Sequence, residues 1–154
     1  DLIEETVRSD WAGAVERIRA QSTPEDRERF LAARKALILA LQEAGAPLLL
    51  GSDAPQIFNV PGVSTHQELA YLVDAGLTPL QALQSGTINV AKFFQEADRG
   101  TIAVGQVADL LLLAANPLEN IHNSTRILGV SRDGRWFNQA DLERRLTAIR
   151  ERVR

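Results

Sequence analysis

Two histidines, no cysteine, and one aspartate at the end of an apolar run are what this sequence offers for chemistry. The run is Leu48, Leu49 and Leu50, followed by Gly51-Ser52-Asp53-Ala54. Three leucines without polar alternation read as a short strand buried on both faces, which Gly51 and Ser52 bring to an end. Asp53 then sits at the strand's C-terminal edge, where α/β sheets and barrels do their chemistry because rigid strands carry accessible loops there. Its carboxylate is the leading functional candidate; the competing expectation is that it caps the following turn through nearby backbone amides. His66 falls in the first turn of a helix leaving the same loop, placed to hydrogen-bond a substrate or to orient Asp53, or simply a partly exposed helix-start histidine. His122 is far along the chain and reads as a surface residue. Without cysteine there is no thiolate ligand, nucleophile or disulfide.

The elements that would position these groups follow from periodicity and punctuation. Leu2, Ile3, Val7, Trp11, Val15 and Ile18 recur at helical spacing in a first amphipathic segment. Thr23 is a good N-cap, Pro24 suits the first helical position, Glu25 and Asp26 suit the positive end of the dipole, and Gly45 ends the second helix. Its Phe30, Leu31, Ala33, Leu37, Ile38 and Leu41 predict a wide buried face. Residues 54–62 form a loop punctuated by Pro55, Asn59, Pro61 and Gly62, long enough to shape a pocket. Ser64 or Thr65 caps a helix that Gly76 stops, Thr78-Pro79 opens another, and Thr87 caps a third. From Gly100 the pattern turns to strands, over 101–105, 108–114 and 126–132, with Asp133-Gly134 as a hairpin turn into Arg135-Trp136-Phe137. Asn138 caps a last helix running from Gln139 to about Val153.

The chain has 154 residues, one domain's worth, with 45% hydrophobic and 24% charged residues. A net charge of −3 argues against nucleic acid or an anionic membrane as partner. No apolar run approaches the roughly 20 residues that span a bilayer, and the first residues lack a signal-peptide pattern. The compartment is left open.

Three stretches in series resemble the C-terminal part of the amidohydrolase superfamily, metal-dependent hydrolases that include imidazolonepropionase-like and prolidase-like enzymes. They are Gly51-Ser52-Asp53-Ala54 after its apolar run; His66-Gln67-Glu68-Leu69 with Leu72 through Leu83 and Thr87-Ile88-Asn89-Val90-Ala91; and Asp98-Arg99-Gly100-Thr101-Ile102 through Ala108-Asp109-Leu110, with Asn116-Pro117-Leu118 beyond. Together they span roughly residues 36–131. The resemblance implies an α/β fold: the C-terminal part of a (β/α)8 metallo-hydrolase barrel plus strands of a small composite β-domain. Residues 1–99 would be the barrel part, helices around a last strand at 47–51. Residues 100–137 would be the β-domain strands, and 138–154 a C-terminal helix. Asp109 reads as structural, a turn or capping group.

By the same resemblance, Asp53 is the general base and acid on a metal-bound water and a metal ligand, with Ser52 and His66 near the substrate, a peptide-like or cyclic amide. The implied cofactor is a divalent metal, zinc being the commonest, and none is expected on this chain alone. Such a site needs a His-x-His pair and further histidines, which the sequence lacks; its lysines, Lys35 and Lys92, are not in strand contexts. At roughly 30 residues per βα unit, the stretch before Gly100 holds about three of the eight units of a barrel. The expected partners are therefore a small-molecule or peptide substrate, a missing N-terminal part of the barrel, or a second copy of the chain. The alternative is a stand-alone α/β structural or protein-interaction module without catalysis.

Overall fold

The computed structural model describes residues 2–152. Two long helices open the chain, α1 (Glu5–Ala20) and α2 (Pro24–Glu43). Thr23 is the expected N-cap of α2, and with Asp26 it forms a capping box. The Thr23 hydroxyl accepts the Asp26 N–H at 3.1 Å, while the Asp26 carboxylate accepts the Thr23 hydroxyl at 2.7 Å and its N–H at 3.3 Å. Those donors favour the ionised carboxyl and hold the Asp26 pKa below its ordinary value. The wide buried face expected of α2 is not buried: Phe30, Leu31, Ala33, Leu37 and Leu41 are exposed, and Ile38 alone of the six packs against the core. Periodicity marks a face that needs cover, and among the described residues little is stacked on this one.

The core lies further along, where α3 (Val63–Asp74) and α4 (Pro79–Ser85) turn back on each other through Gly76-Leu77-Thr78. Leu69, Leu72, Leu77, Ala82 and Ile121 are its buried members, with Ile38, Leu48, Leu50, Ala70, Val73 and Leu83 packed around them. Burying each large aliphatic side chain contributes about 1.5–3 kcal/mol, so this cluster anchors the helical part. Neither Ser64 nor Thr65 caps α3: its N-cap is Gly62, and Ser64 Oγ, inside the first turn, accepts the Val60 N–H at 2.7 Å. Thr78 and Gln81 form a second capping box on α4. Before α5 (Ile88–Phe94) the outcome differs from expectation: the Thr87 hydroxyl donates to the Leu83 carbonyl at 2.8 Å instead of capping.

Residues 47–51, expected as a strand buried on both faces, are extended but pair with no strand, and Leu49 is exposed. A strand is made by its neighbours, and the neighbours here are helical. The Leu50 N–H donates to the Ser85 carbonyl at 3.0 Å and the Asn89 side-chain amide donates to the Leu48 carbonyl at 3.0 Å. Nor do residues 101–105 form a strand; Ile102 and Val104 point into solvent from a turn.

The remaining strands form a three-stranded antiparallel sheet in the order β1 (Leu110–Leu113), β2 (Ile127–Arg132), β3 (Arg135–Asn138). Leu111 pairs with Val130, and Val130 with Phe137. Asp133 and Gly134 both take positive φ, 50° and 72°, as a two-residue hairpin turn requires. Asp109 has the structural role expected: its carboxylate accepts the Asp133 N–H at 2.9 Å and clamps the turn. A 3₁₀ helix (Ile121–Thr125) between β1 and β2 returns to pack on α3. Asn138 and Asp141 exchange hydrogen bonds of 3.0 and 3.1 Å to cap α6 (Gln139–Arg152), which rests on β2 and β3. Val153, expected near its end, lies outside the described residues.

Gly100 marks the passage from helices to sheet, with φ +88°, and a Cβ there would stand 2.8 Å from Ala91 Cβ and 3.0 Å from Ile88 Cα. Gly100→Ala is expected to destabilise the chain by about 2–4 kcal/mol, strain and overpacking together. Gly45→Ala, at φ +76° with nothing within 4 Å, should cost about 1–2 kcal/mol from backbone strain alone. Urea unfolding of both variants, with the larger midpoint shift at Gly100, checks the assignment.

Candidate functional site

The loop that leaves Leu50 is fixed at both ends before it presents any chemistry. Upstream, the Leu48 and Leu50 backbone groups are tied to α5 and α4; downstream, Ser64 holds Val60. Between them, Ala54-Pro55 is a cis peptide, and Gln56 and Asn59 close a tight turn with reciprocal backbone bonds of 2.9 and 3.4 Å. Phe58, at φ 57°, projects from that turn and meets Trp11 of α1 edge to face, centroids 5.6 Å apart. The first helix thus buttresses the loop through one aromatic pair.

Asp53 is exposed and stands at φ 55°, a left-handed conformation that few L-residues other than Asp and Asn adopt readily. Its carboxylate Oδ2 accepts a 2.5 Å hydrogen bond from the Gln56 side-chain amide. A neutral donor orients the carboxylate without neutralising it, leaving its second oxygen open to another proton. Gln56 was legible in the sequence only as a loop residue. The signal that points to it is its three-residue spacing from Asp53 across a proline. Ser52 is half-buried beside Asp53.

His66 is half-buried in the first turn of α3, and its Nδ1 shares a 3.0 Å hydrogen bond with Ser124 Oγ of the 3₁₀ helix. Ser124 is buried, so this bond joins the helical part to the sheet part. Among the described residues, no hydrogen bond joins His66 to Asp53. Burial pushes the His66 pKa below its ordinary value, favouring the neutral ring. On the same helix, burial raises the Glu68 pKa, an effect that Arg34 opposes. His122 is exposed in the 3₁₀ helix. Among the described residues, no three His, Cys, Asp or Glu side chains come together as a group able to hold a metal ion. The donors among the described residues therefore do not by themselves form a metal centre, and Asp53 is a lone candidate at the loop edge among them.

The sequence profile of the Amidohydrolase family matches residues 8–137, and the chain belongs to that family. It is 36% identical over 80 residues to an imidazolonepropionase of Pyrobaculum arsenaticum, covering 51% of this chain and 20% of that protein. Among solved structures it is similar to a bottromycin amidohydrolase, with 29% identity and a TM-score of 0.77 over 96% of this chain and 34% of the other. A Xaa-Pro dipeptidase with methionine bound in its active site is similar at 28% identity and a TM-score of 0.59, over 68% and 25% of the two chains. The chain spans no more than a fifth of the length of the curated relatives it matches. No helix among the described residues is long and apolar enough to cross a membrane.

The His66 environment makes a titration prediction. With the folded pKa below the unfolded value near 6.5, the unfolded chain takes up the proton first as pH falls. Stability is unaffected above the unfolded pKa and declines as pH drops below it toward the folded pKa. An NMR titration of the His66 ring should give a midpoint below 6.5.

Proposed function

We propose that this chain is the C-terminal part of a barrel hydrolase that cleaves amide bonds, and that Asp53 is its proton-transferring residue. Residues 48–50 would be the last barrel strand, paired in the complete barrel, and residues 100–137 would contribute to a β-domain beside it. The observation that carries the reading is the Asp53 carboxylate itself: exposed on a loop pinned at both ends, held in a left-handed turn and oriented by the Gln56 amide. Family membership and relatives whose names state amide or peptide cleavage support the reaction class.

In this reading the substrate is a small molecule or peptide with a scissile amide, linear or cyclic. Asp53 takes a proton from the attacking water as its oxygen bonds to the carbonyl carbon, then delivers it to the nitrogen as the C–N bond breaks. Gln56 holds the carboxylate in place during both transfers through one amide donor to Oδ2, leaving Oδ1 for the proton. Ser52 and His66 flank the substrate side of the loop, His66 as a neutral ring. A divalent metal of the kind the family implies would supply water activation and carbonyl polarisation, but the described residues alone do not fit such a centre.

Asn tolerates the left-handed backbone of residue 53 but cannot accept the proton. Asp53→Asn in the full-length polypeptide is expected to lower turnover of Xaa-Pro dipeptides and cyclic amides by about 10²–10⁴-fold while leaving the melting temperature nearly unchanged. Turnover at the parent level would overturn the assignment. Gln56→Ala should lower turnover, and by less than Asp53→Asn.

A further inference from the structure

The hairpin and the last helix enclose a second polar groove, chemically unlike the Asp53 loop. Strand β3 presents Arg135 and Phe137 on one face, two residues apart. Helix α6 presents Asp141, Arg144, Arg145 and Ala148 on the stripe that i, i+3, i+4 and i+7 spacing creates. These side chains line a cavity of about 440 Å³.

Charge in this groove is unbalanced. Three guanidinium groups face one carboxylate, and that carboxylate is already taken: Asp141 Oδ1 accepts from Arg144, and Oδ2 accepts the Asn138 N–H at 3.1 Å. Arg135 and Arg145 have no carboxylate partner among the described residues. Both gather instead on the Phe137 ring, at 5.5 and 4.7 Å from its centroid. Two like charges are thus held no more than about 10 Å apart, roughly one Debye length at 0.1 M salt. The ring quadrupole attracts each cation but carries no net charge, so the surplus positive charge remains. The surrounding segment has the same bias: residues 126–152 hold seven arginines against Asp133, Asp141, Glu143 and Glu151, in a chain whose net charge is −3.

From the unpaired Arg135 and Arg145 on either side of Phe137, we infer that the β3–α6 groove is a binding site for an oxyanion, a phosphate or carboxylate group of a small molecule. A planar guanidinium offers paired N–H donors that match two oxygens of such a group, and Phe137 keeps both forks in place before the ligand arrives. The site is independent of the amide-cleavage reading and lies on different elements from Asp53.

The test is an NMR titration of the arginine Nε–H signals with inorganic phosphate and, separately, with succinate, each at ionic strength matched by sodium chloride. Saturable shifts at Arg135 and Arg145 and at the Phe137 ring are expected. Each single change, Arg135→Gln or Arg145→Gln, should weaken binding about tenfold, and Arg150→Gln, whose parent side chain pairs with Glu143, should leave it intact. A response to phosphate alone assigns a phosphoryl ligand, and a response to both probes assigns a broader oxyanion site. The inference is overturned if sodium chloride alone reproduces the shifts or if the double glutamine variant still responds. Arg135→Lys with Arg145→Lys, which keeps the charge and removes the forks, should bind measurably but more weakly and guards against loss of folding.

Discussion

Everything ordered in the helical part rests on the burial of Leu72, Leu77 and Ala82 where α3 turns into α4. That turn is possible because Gly76 accepts a φ of +112° and Thr78 caps the helix that follows. Ser85 at the end of α4 then offers its carbonyl to Leu50, and α5 offers the Asn89 amide to Leu48. The Asp53 loop is consequently hung from a helical hairpin, not from a sheet. Ile121 of the 3₁₀ helix enters the same core, and the His66 to Ser124 bond adds a polar tie beside it. Sheet and site are coupled through this one cluster.

Some local rules were legible in the sequence where their partners lie a few residues away: the Thr23, Thr78 and Asn138 helix starts and the Asp133-Gly134 turn depend on spacing of that kind. Spacing alone did not decide every cap, since Thr87 turns back to Leu83 and Ser64 to Val60, and Asp109 finds its partner 24 residues on. Sequence and structure part company where the partner is distant. Residues 48–50 carry the hydrophobicity of a buried strand, but a strand needs ladder partners, and their nearest neighbours are α4 and α5. Phe30, Leu31 and Leu37 carry the period of a buried helix face and are exposed. For the candidate site, Asp53 was selectable in the sequence as the carboxylate after an apolar run, and its role is the one proposed above. Gln56 and Trp11 were not, because one is an ordinary loop residue and the other an ordinary helix residue until the turn at Phe58 brings them to the same loop.

Those exposed faces fit the proposed larger hydrolase. The chain spans about a third of the bottromycin amidohydrolase it resembles over nearly its whole length. An α2 face of Phe30, Leu31 and Leu37, together with an exposed Leu49, is what a set of neighbouring barrel units would cover.

The left-handed backbone at residue 53 has a consequence for how this position can change over time. The proposed reaction asks for a carboxylate there, while the turn independently restricts the residue to the few types that accept a φ near 55°. Glutamate meets the first demand and fails the second. Asparagine and glycine meet the second and fail the first. The easiest substitutions for folding are therefore those that silence the carboxylate, so a lineage released from selection on activity would drift toward an intact, inert copy of the same loop.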